Sequence, residues 1–306
     1  MNQNSLFLPA CLVLFFTCLA SQFAFAQDDL EALLDEQEKE NPKTEYTTSA
    51  YKSTRLINLH TSEKVAKGAL EFRISHRFGT LDGGAYEFFG LDQATIRLGF
   101  EYGLSDRIMI GLGRNSFQKT YDGLFKADLL RQSTGEKTIP ISLTYVGTGA
   151  INTLKSNVGE DKTFANRLIY THQIILSRKF SEGFSFLLAP SWVHRNLVPA
   201  AEDKNDLYAL GFGGRIKLTK RTSFNAEYIY RMPIQNSLLF DDNYNSLSIG
   251  FDIETGGHVF QLHLTNSRSM IESGFIAETS SNWLDGGIHF GFNLTREFVL
   301  RKNKFN

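Results

Sequence analysis

Residues 94–115, ATIRLGFEYGLSDRIMIGLGRN, decide the fold. Ile96, Leu98, Phe100 and Tyr102 share one side of a period-two pattern, with Thr95, Arg97, Gly99 and Glu101 on the other. That alternation is the signature of a strand with one apolar face. The turn GLSDR (103–107) follows, and Ile108, Ile110 and Leu112 resume the apolar face against Gly111 and Gly113. The charges stand mid-strand, where a sandwich core would not tolerate them but a water-filled bore would.

The same ladder repeats on both sides of this stretch. Leu70, Phe72, Ile74 and Phe78 oppose Glu71, Arg73, Ser75 and Arg77. Later ladders run through Ile139–Tyr145, Leu168–Leu176, Phe184–Trp192, Leu210–Leu218, Phe224–Tyr230, Leu247–Ile253, Phe260–Leu264 and Ile288–Leu294, with a weaker one at Phe125–Leu129. About twelve strands result, many near the ~9–11 residues that cross a bilayer when tilted. Short turns at 103–107, 133–137, 181–183, 219–222 and 255–257 alternate with long segments at 79–93, 114–120, 148–164, 195–206, 232–245 and 266–286. A membrane barrel sorts its loops by rim in this way, whereas a sandwich has no reason to. The expectation is an all-β, transmembrane, antiparallel up-and-down barrel. His172 breaks the pattern, falling mid-strand on the apolar face.

The polar faces carry Glu71, Arg73, Arg77, Arg97, Glu101, Arg167, Arg215, Lys217, Glu227, Arg231, Asp252, Glu254, His263 and Glu297, and these are the expected lumen-lining residues. Apart from His263 they are seven bases and six acids. Such balance suits mutual pairing across a narrow interior better than strong ion selectivity.

Composition agrees. Hydrophobic residues make up 42% and charged residues 21%, enough for an ordered core. After the N-terminus no uncharged apolar run approaches the length of a membrane helix. A net charge of −1 gives no case for nucleic-acid binding. Residues 1–26 have no Asp, Glu, Lys or Arg, contain the apolar run SLFLPACLVLFFTCLA, and end in Ala24-Phe25-Ala26, the layout of a signal peptide cleaved before Gln27. Cys11 and Cys18 both lie inside it, leaving a mature chain without thiol chemistry or disulfides. Residues 28–45 hold eight acids and two lysines. Asp28 and Asp29 precede Leu30, Leu33 and Leu34 at helical spacing, and Pro42 closes the helix. Residues 27–67 are accordingly expected to form an acidic periplasmic helix and linker before a barrel at 68–306. The helix at 28–45 is a solvated tether, a docking element for a basic periplasmic protein, or a plug for the barrel mouth.

Candidate chemistry is sparse. The one His-x-Ser, His60-Thr61-Ser62, precedes the first strand and should lie in the periplasm, away from outer-leaflet lipid. His76, His194 and His289 lack paired metal-ligand spacing. No cofactor, metal or catalytic residue is expected, and GFGG (211–214) reads as glycines that relieve crowding where strands bend. The aromatic loop DGGAYEFFGLD (82–92) reads as a lid or an interfacial anchor.

The stretches STRLINLHTSEKVAKGALEFRISHRFG (53–79), KTYDGLFKADLLRQSTG (119–135), DKNDLYALGFGGRIKLTKR (203–221) and SLSIGFDIETGGHVFQLHLTNSR (246–268) resemble a family of Gram-negative outer-membrane barrels, domain of unknown function 5777. The resemblance runs from Asp28 to the final strand. It implies the barrel and its compartment, and it brings no activity or functional residues; with this, the expectation is a barrel in contact with outer-membrane lipid and with both termini periplasmic. Two functions stay open: a narrow, weakly selective channel or small-solute binder, and a sealed barrel that recruits a periplasmic protein through residues 28–45. A surface lipid hydrolase is a remote third, so the expectation is a protein that is not an enzyme.

Overall fold

The computed structural model describes residues 43–155, 163–198, 203–233 and 243–300. The signal peptide expected at 1–26 and the acidic helix expected from residue 28 up to Pro42 lie outside the described residues. Twelve strands close into an antiparallel barrel. They are β1 Ala69–Thr80, β2 Ala94–Gly103, β3 Ile108–Asn115, β4 Thr120–Leu130, β5 Ser142–Asn152, β6 Leu168–Lys179, β7 Phe184–Arg195, β8 Asp206–Lys217, β9 Thr222–Arg231, β10 Ser246–Thr255, β11 His258–Thr265 and β12 His289–Val299. Each strand pairs with its sequence neighbours, and β12 closes the ring on β1 through Leu294 opposite Ile74. Separately, Glu45–Tyr46 pairs with Ser133–Thr134 in a two-stranded ladder.

The residues sort inside out. Arg73 and Arg77 are 0% and 1% exposed, whereas Phe100 and Leu112 are 50% and 71% exposed. Strict alternation along β1 and β2 produces this, because successive side chains point to opposite faces. An outward apolar belt and an inward polar face are what a bilayer demands of a closed sheet, whose backbone groups are all paired. The connections leave at two rims, one carrying short turns such as 256–257 and the other longer loops such as 81–93 and 266–288.

Two connections differ from expectation. The one around STGEK spans 131–141, so Ile139 and Ile141 precede β5, while the one after β3 is only 116–119. The weak fourth ladder is a full strand, β4, with a register shift between Asp128 and Leu130 that blurs its period. His172 does face outward, and neither a register error nor a bulge is involved. It stacks on Trp192 with ring centroids 5.2 Å apart and shares a 2.6 Å hydrogen bond between Nδ1 and the Tyr145 hydroxyl.

Residues 47–67 are not a linker. The stretch 50–61 lies in the bore, with Leu56, Ile57, Leu59, His60 and Thr61 all buried, while Thr48, Ser49, Ala66 and Lys67 at the two ends are exposed. The loop 266–288 folds in from the other rim, where the one-and-a-half-turn helix α1, Glu272–Ala277, is buried along its whole length.

If the outward ladders meet lipid, Leu98→Arg or Ile249→Arg should cost about 2–4 kcal/mol near the midplane and reduce the heat-modifiable folded band on gels. Ser248→Asn, mild on a simple lumen face, should also be harmful, because Ser248 Oγ is buried between Asn58 and Thr265. Equal tolerance of all three would contradict this arrangement.

Candidate functional site

Residues 54–61 form a hairpin inside the barrel, with Arg55 bridging His60 and Thr61 N donating to Thr54 O at 3.0 Å. Its tip is Leu56-Ile57-Asn58-Leu59. Three consecutive amides there point at one carboxylate. Ile57 N donates to Glu227 Oε2 at 3.3 Å, Asn58 N to Oε1 at 2.9 Å, and Leu59 N to Oε2 at 3.0 Å. A run of backbone N–H groups makes an anion-binding concavity, and here the wall of β9 supplies the anion. Charge-assisted bonds of this kind are about twice as strong as neutral ones.

The tip carbonyls are held as well. Gln261 Nε2 donates to Leu56 O at 2.7 Å, and Asn293 Nδ2 donates to Ile57 O at 3.2 Å. Arg77 Nη2 reaches Asn58 Oδ1 at 2.9 Å, and Asn58 Nδ2 reaches Ser248 Oγ at 3.0 Å. The two tip leucines lie against β8, where Gly211 and Gly213 face inward. A Cβ on Gly213 would come 2.7 Å from Leu56, and one on Gly211 would come 3.0 Å from Leu59. Gly211 and Gly213 of GFGG therefore make room for the hairpin.

Both limbs are pinned. On the entering limb, Arg215 Nη1 donates to Ala50 O at 3.1 Å, Lys52 pairs with Glu254, and Arg73 Nη2 donates to Ser53 Oγ at 2.9 Å. Thr54 Oγ1 donates to Glu101 at 2.8 Å. On the returning limb Lys64 pairs with Asp128, and Lys126 Nζ bonds the carbonyls of Thr54 and Glu63. The hairpin meets the inward loop at Glu272, which takes Arg55 Nη2 at 2.6 Å and His60 Nε2 at 3.0 Å. Burial and the Arg55 charge lower the His60 pKa from 6.5 to about 3, so the neutral ring donates to the carboxylate. Burial pushes the Glu272 carboxyl up, but Arg55, His60 and Arg97 outweigh it and hold the group well below the usual carboxylate range.

Glu71, Arg73, Arg77, Arg97, Glu101, Arg215, Glu227, Arg231, Asp252 and His263 are buried on the inner wall. Arg97 forks onto Asp122 across the β2–β4 side of the wall. His263 faces Gly291, whose missing side chain gives its ring room. Lys217, Glu254 and Glu297 sit at the short-turn rim instead, partly or fully exposed. Arg167 lies outside any strand, in a 3-10 turn at the long-loop rim, and donates to Leu154 O at 2.6 Å. The sequence reading missed Arg55, Asp122, Lys126, Asp128 and Glu272. Asp122 and Lys126 stand at even spacing in β4 and were legible had Tyr121, Gly123 and Phe125 been taken as one face. His60-Thr61-Ser62, expected in the periplasm, is inside the bore, and its imidazole is committed to Glu272.

Residues 51–298 match the family described as a membrane-bound β-barrel domain, DUF5777. Among solved structures, the NanC porin aligns with a TM-score of 0.47 at 7% identity, covering 75% of this chain and 98% of that one. The KdgM porin aligns at 0.45 and 8% identity, covering 75% and 99%. Omp33 of Acinetobacter baumannii aligns at 0.37 and 9% identity, covering 77% and 100%. Likeness this distant says nothing of what the present barrel carries. No curated protein matches the chain.

Removing the carboxylate in Glu227→Ala should strand the tip amides and weaken the seated hairpin by about 2–3 kcal/mol, read as roughly hundredfold faster deuterium exchange at residues 57–59. Unchanged exchange would contradict the grip. The pH dependence follows from His60 and Glu272. Once unfolded, His60 takes a proton below about 6.5 and Glu272 below about 4.5, whereas the seated forms resist until lower pH. Stability should therefore fall on acidification, through the His60 window of 6.5 to 3 and then further below 4.5. The melting temperature of the folded gel band should be lower at pH 4 than at pH 7.5, and Glu272→Gln should shrink the difference.

Proposed function

The chain belongs to the membrane-bound β-barrel domain family, DUF5777, and on that premise we propose that it is a gated conduit for small polar solutes in a Gram-negative outer membrane, held shut by its own N-terminal hairpin. The carrying observation is the chemistry of the contact between hairpin and wall. A permanent filling would be expected to be apolar, because burying ion pairs gains little over hydrophobic packing. Here Arg73, Arg77, Glu101, Glu227 and Gln261 meet mainly backbone and side-chain polar groups of the hairpin. Arg73 Nε and Nη1 and Arg77 Nε have no hydrogen-bond partner among the described residues. Such a wall suits water once the hairpin leaves, and its mixed charges favour a bore of weak ion selectivity.

With an even number of strands both barrel ends fall at the short-turn rim, where Leu300 N bonds Gly68 O. Outer-membrane barrels keep short turns on the periplasmic side. The hairpin then enters from the periplasm, and the stretch that precedes it in sequence is the acidic segment 28–45, chemistry that a basic periplasmic protein would recognise. One observation favours the rival reading of a sealed docking barrel. Phe275, Ile276 and Ala277 are fully buried, so the interior is occupied from the long-loop side as well.

Planar-bilayer recording separates the two. The full-length barrel should be silent or open rarely, Glu227→Ala should open in bursts, and a chain lacking residues 47–63 should conduct steadily with weak ion preference. A correctly folded but silent deletion variant would refute the conduit and leave the sealed barrel.

A further inference from the structure

The outer face of the barrel carries a groove. In one row across the sheet, Leu112 faces Gly123, Gly123 faces Gly149, and Gly149 faces Tyr170. In the adjacent row, nearer the short turns, Phe125 faces Gly147 and Gly147 faces His172. The alternation that sends Leu112, Phe125 and Tyr170 outward sends these three glycines outward too. These three missing side chains form one end of a hollow of about 710 Å³ that continues past Phe100, Tyr102 and Ile110. A Cβ on Gly123 or Gly149 would meet no atom nearer than 3.9 Å and 4.0 Å respectively, so the floor is open there.

One edge of the hollow is polar. Tyr145 arches over Gly147, its hydroxyl 2.9 Å from where a Cβ would stand, to reach His172. Tyr145 occupies only Nδ1 of that imidazole, and no hydrogen bond to Nε2 is formed among the described residues. An ionisable side chain on the lipid-facing side is costly unless a partner meets its polar atoms, and such residues mark functional sites by default.

We propose that this groove is a binding site for one acyl chain of a membrane phospholipid, with an ester or headgroup oxygen accepting from His172. The bilayer covers this face of a membrane-bound barrel, so an apolar rod is what the surroundings offer it. A second barrel presents a convex wall of staggered side chains, which fits a narrow hollow one side chain deep poorly. The amphiphile also answers the imidazole, as a purely apolar occupant would not. The inference rests on family membership and the outer face, and stands whether or not the bore conducts.

Trp192, stacked on His172, reports on the groove. The test uses the full chain in detergent with Trp283→Phe, titrated with phosphatidylcholine carrying a brominated acyl chain and read as Trp192 quenching. Quenching should saturate near one lipid per barrel. Gly149→Leu, apolar on an apolar face, should keep the folded gel mobility and lose the saturable phase, leaving quenching proportional to the lipid fraction. His172→Phe should weaken the saturable phase roughly fivefold to tenfold, the loss of about one hydrogen bond. Proportional quenching without Gly149→Leu, or saturation that survives it, overturns the proposal. A barrel dimer that Gly149→Leu dissociates also overturns it, by assigning the groove to a second copy.

Discussion

A carboxylate inside a closed barrel needs donors, and the hairpin brings three amides in a row to Glu227. The rest of the interior depends on that match. A hairpin tip has backbone N–H groups without strand partners, and burying them unpaired is costly. Glu227 in turn would be an uncompensated buried charge without them. Each removes the other's penalty, which fixes the depth of the tip and so the register of both limbs against the wall. The seats of Lys52 on Glu254, Lys64 on Asp128 and Arg55 on Glu272 follow from that depth.

The barrel itself was legible because its constraint is local. Every strand must turn apolar side chains to lipid, so alternation shows in Ile96–Tyr102 without knowledge of any neighbour. β4 was the faint one for a physical reason. Gly123 sits at an outward position and removes an apolar marker, and the shift near Asp128 disturbs the period. The filled bore was not legible, because residues 47–67 have no period and their partners lie far along the chain. Leu56 finds Gly213, Asn58 finds Arg77 and Ser248, and His60 finds Glu272. Inward glycines in GFGG were a usable sign that something must fit beside them. Balanced charges were another, since the five bases and four acids of the expected lumen lining that are buried on the wall need partners in a narrow interior. Much of that pairing runs through the hairpin and the inward loop instead of directly across the bore.

The two faces of one sheet thus carry separate tasks. Inside, polar groups hold a segment of the same chain. Outside, the belt that solvates the barrel in lipid is interrupted by three glycines and a His–Tyr pair. Because strand side chains alternate, neither feature constrains the other, and substitutions on one face leave the chemistry of the opposite face in place.

The central claim is that the hairpin occupies the bore in the membrane, and one disulfide tests it directly. In a chain whose Cys11 and Cys18 are replaced by Ser, Asn58→Cys with Ser248→Cys gives a single thiol pair at positions whose side chains now meet, Asn58 Nδ2 standing 3.0 Å from Ser248 Oγ. Mild oxidation of the membrane-embedded protein should join them within one chain, shifting its mobility on a non-reducing gel. Two thiols that stay free under oxidant while the barrel keeps its folded mobility would contradict the account.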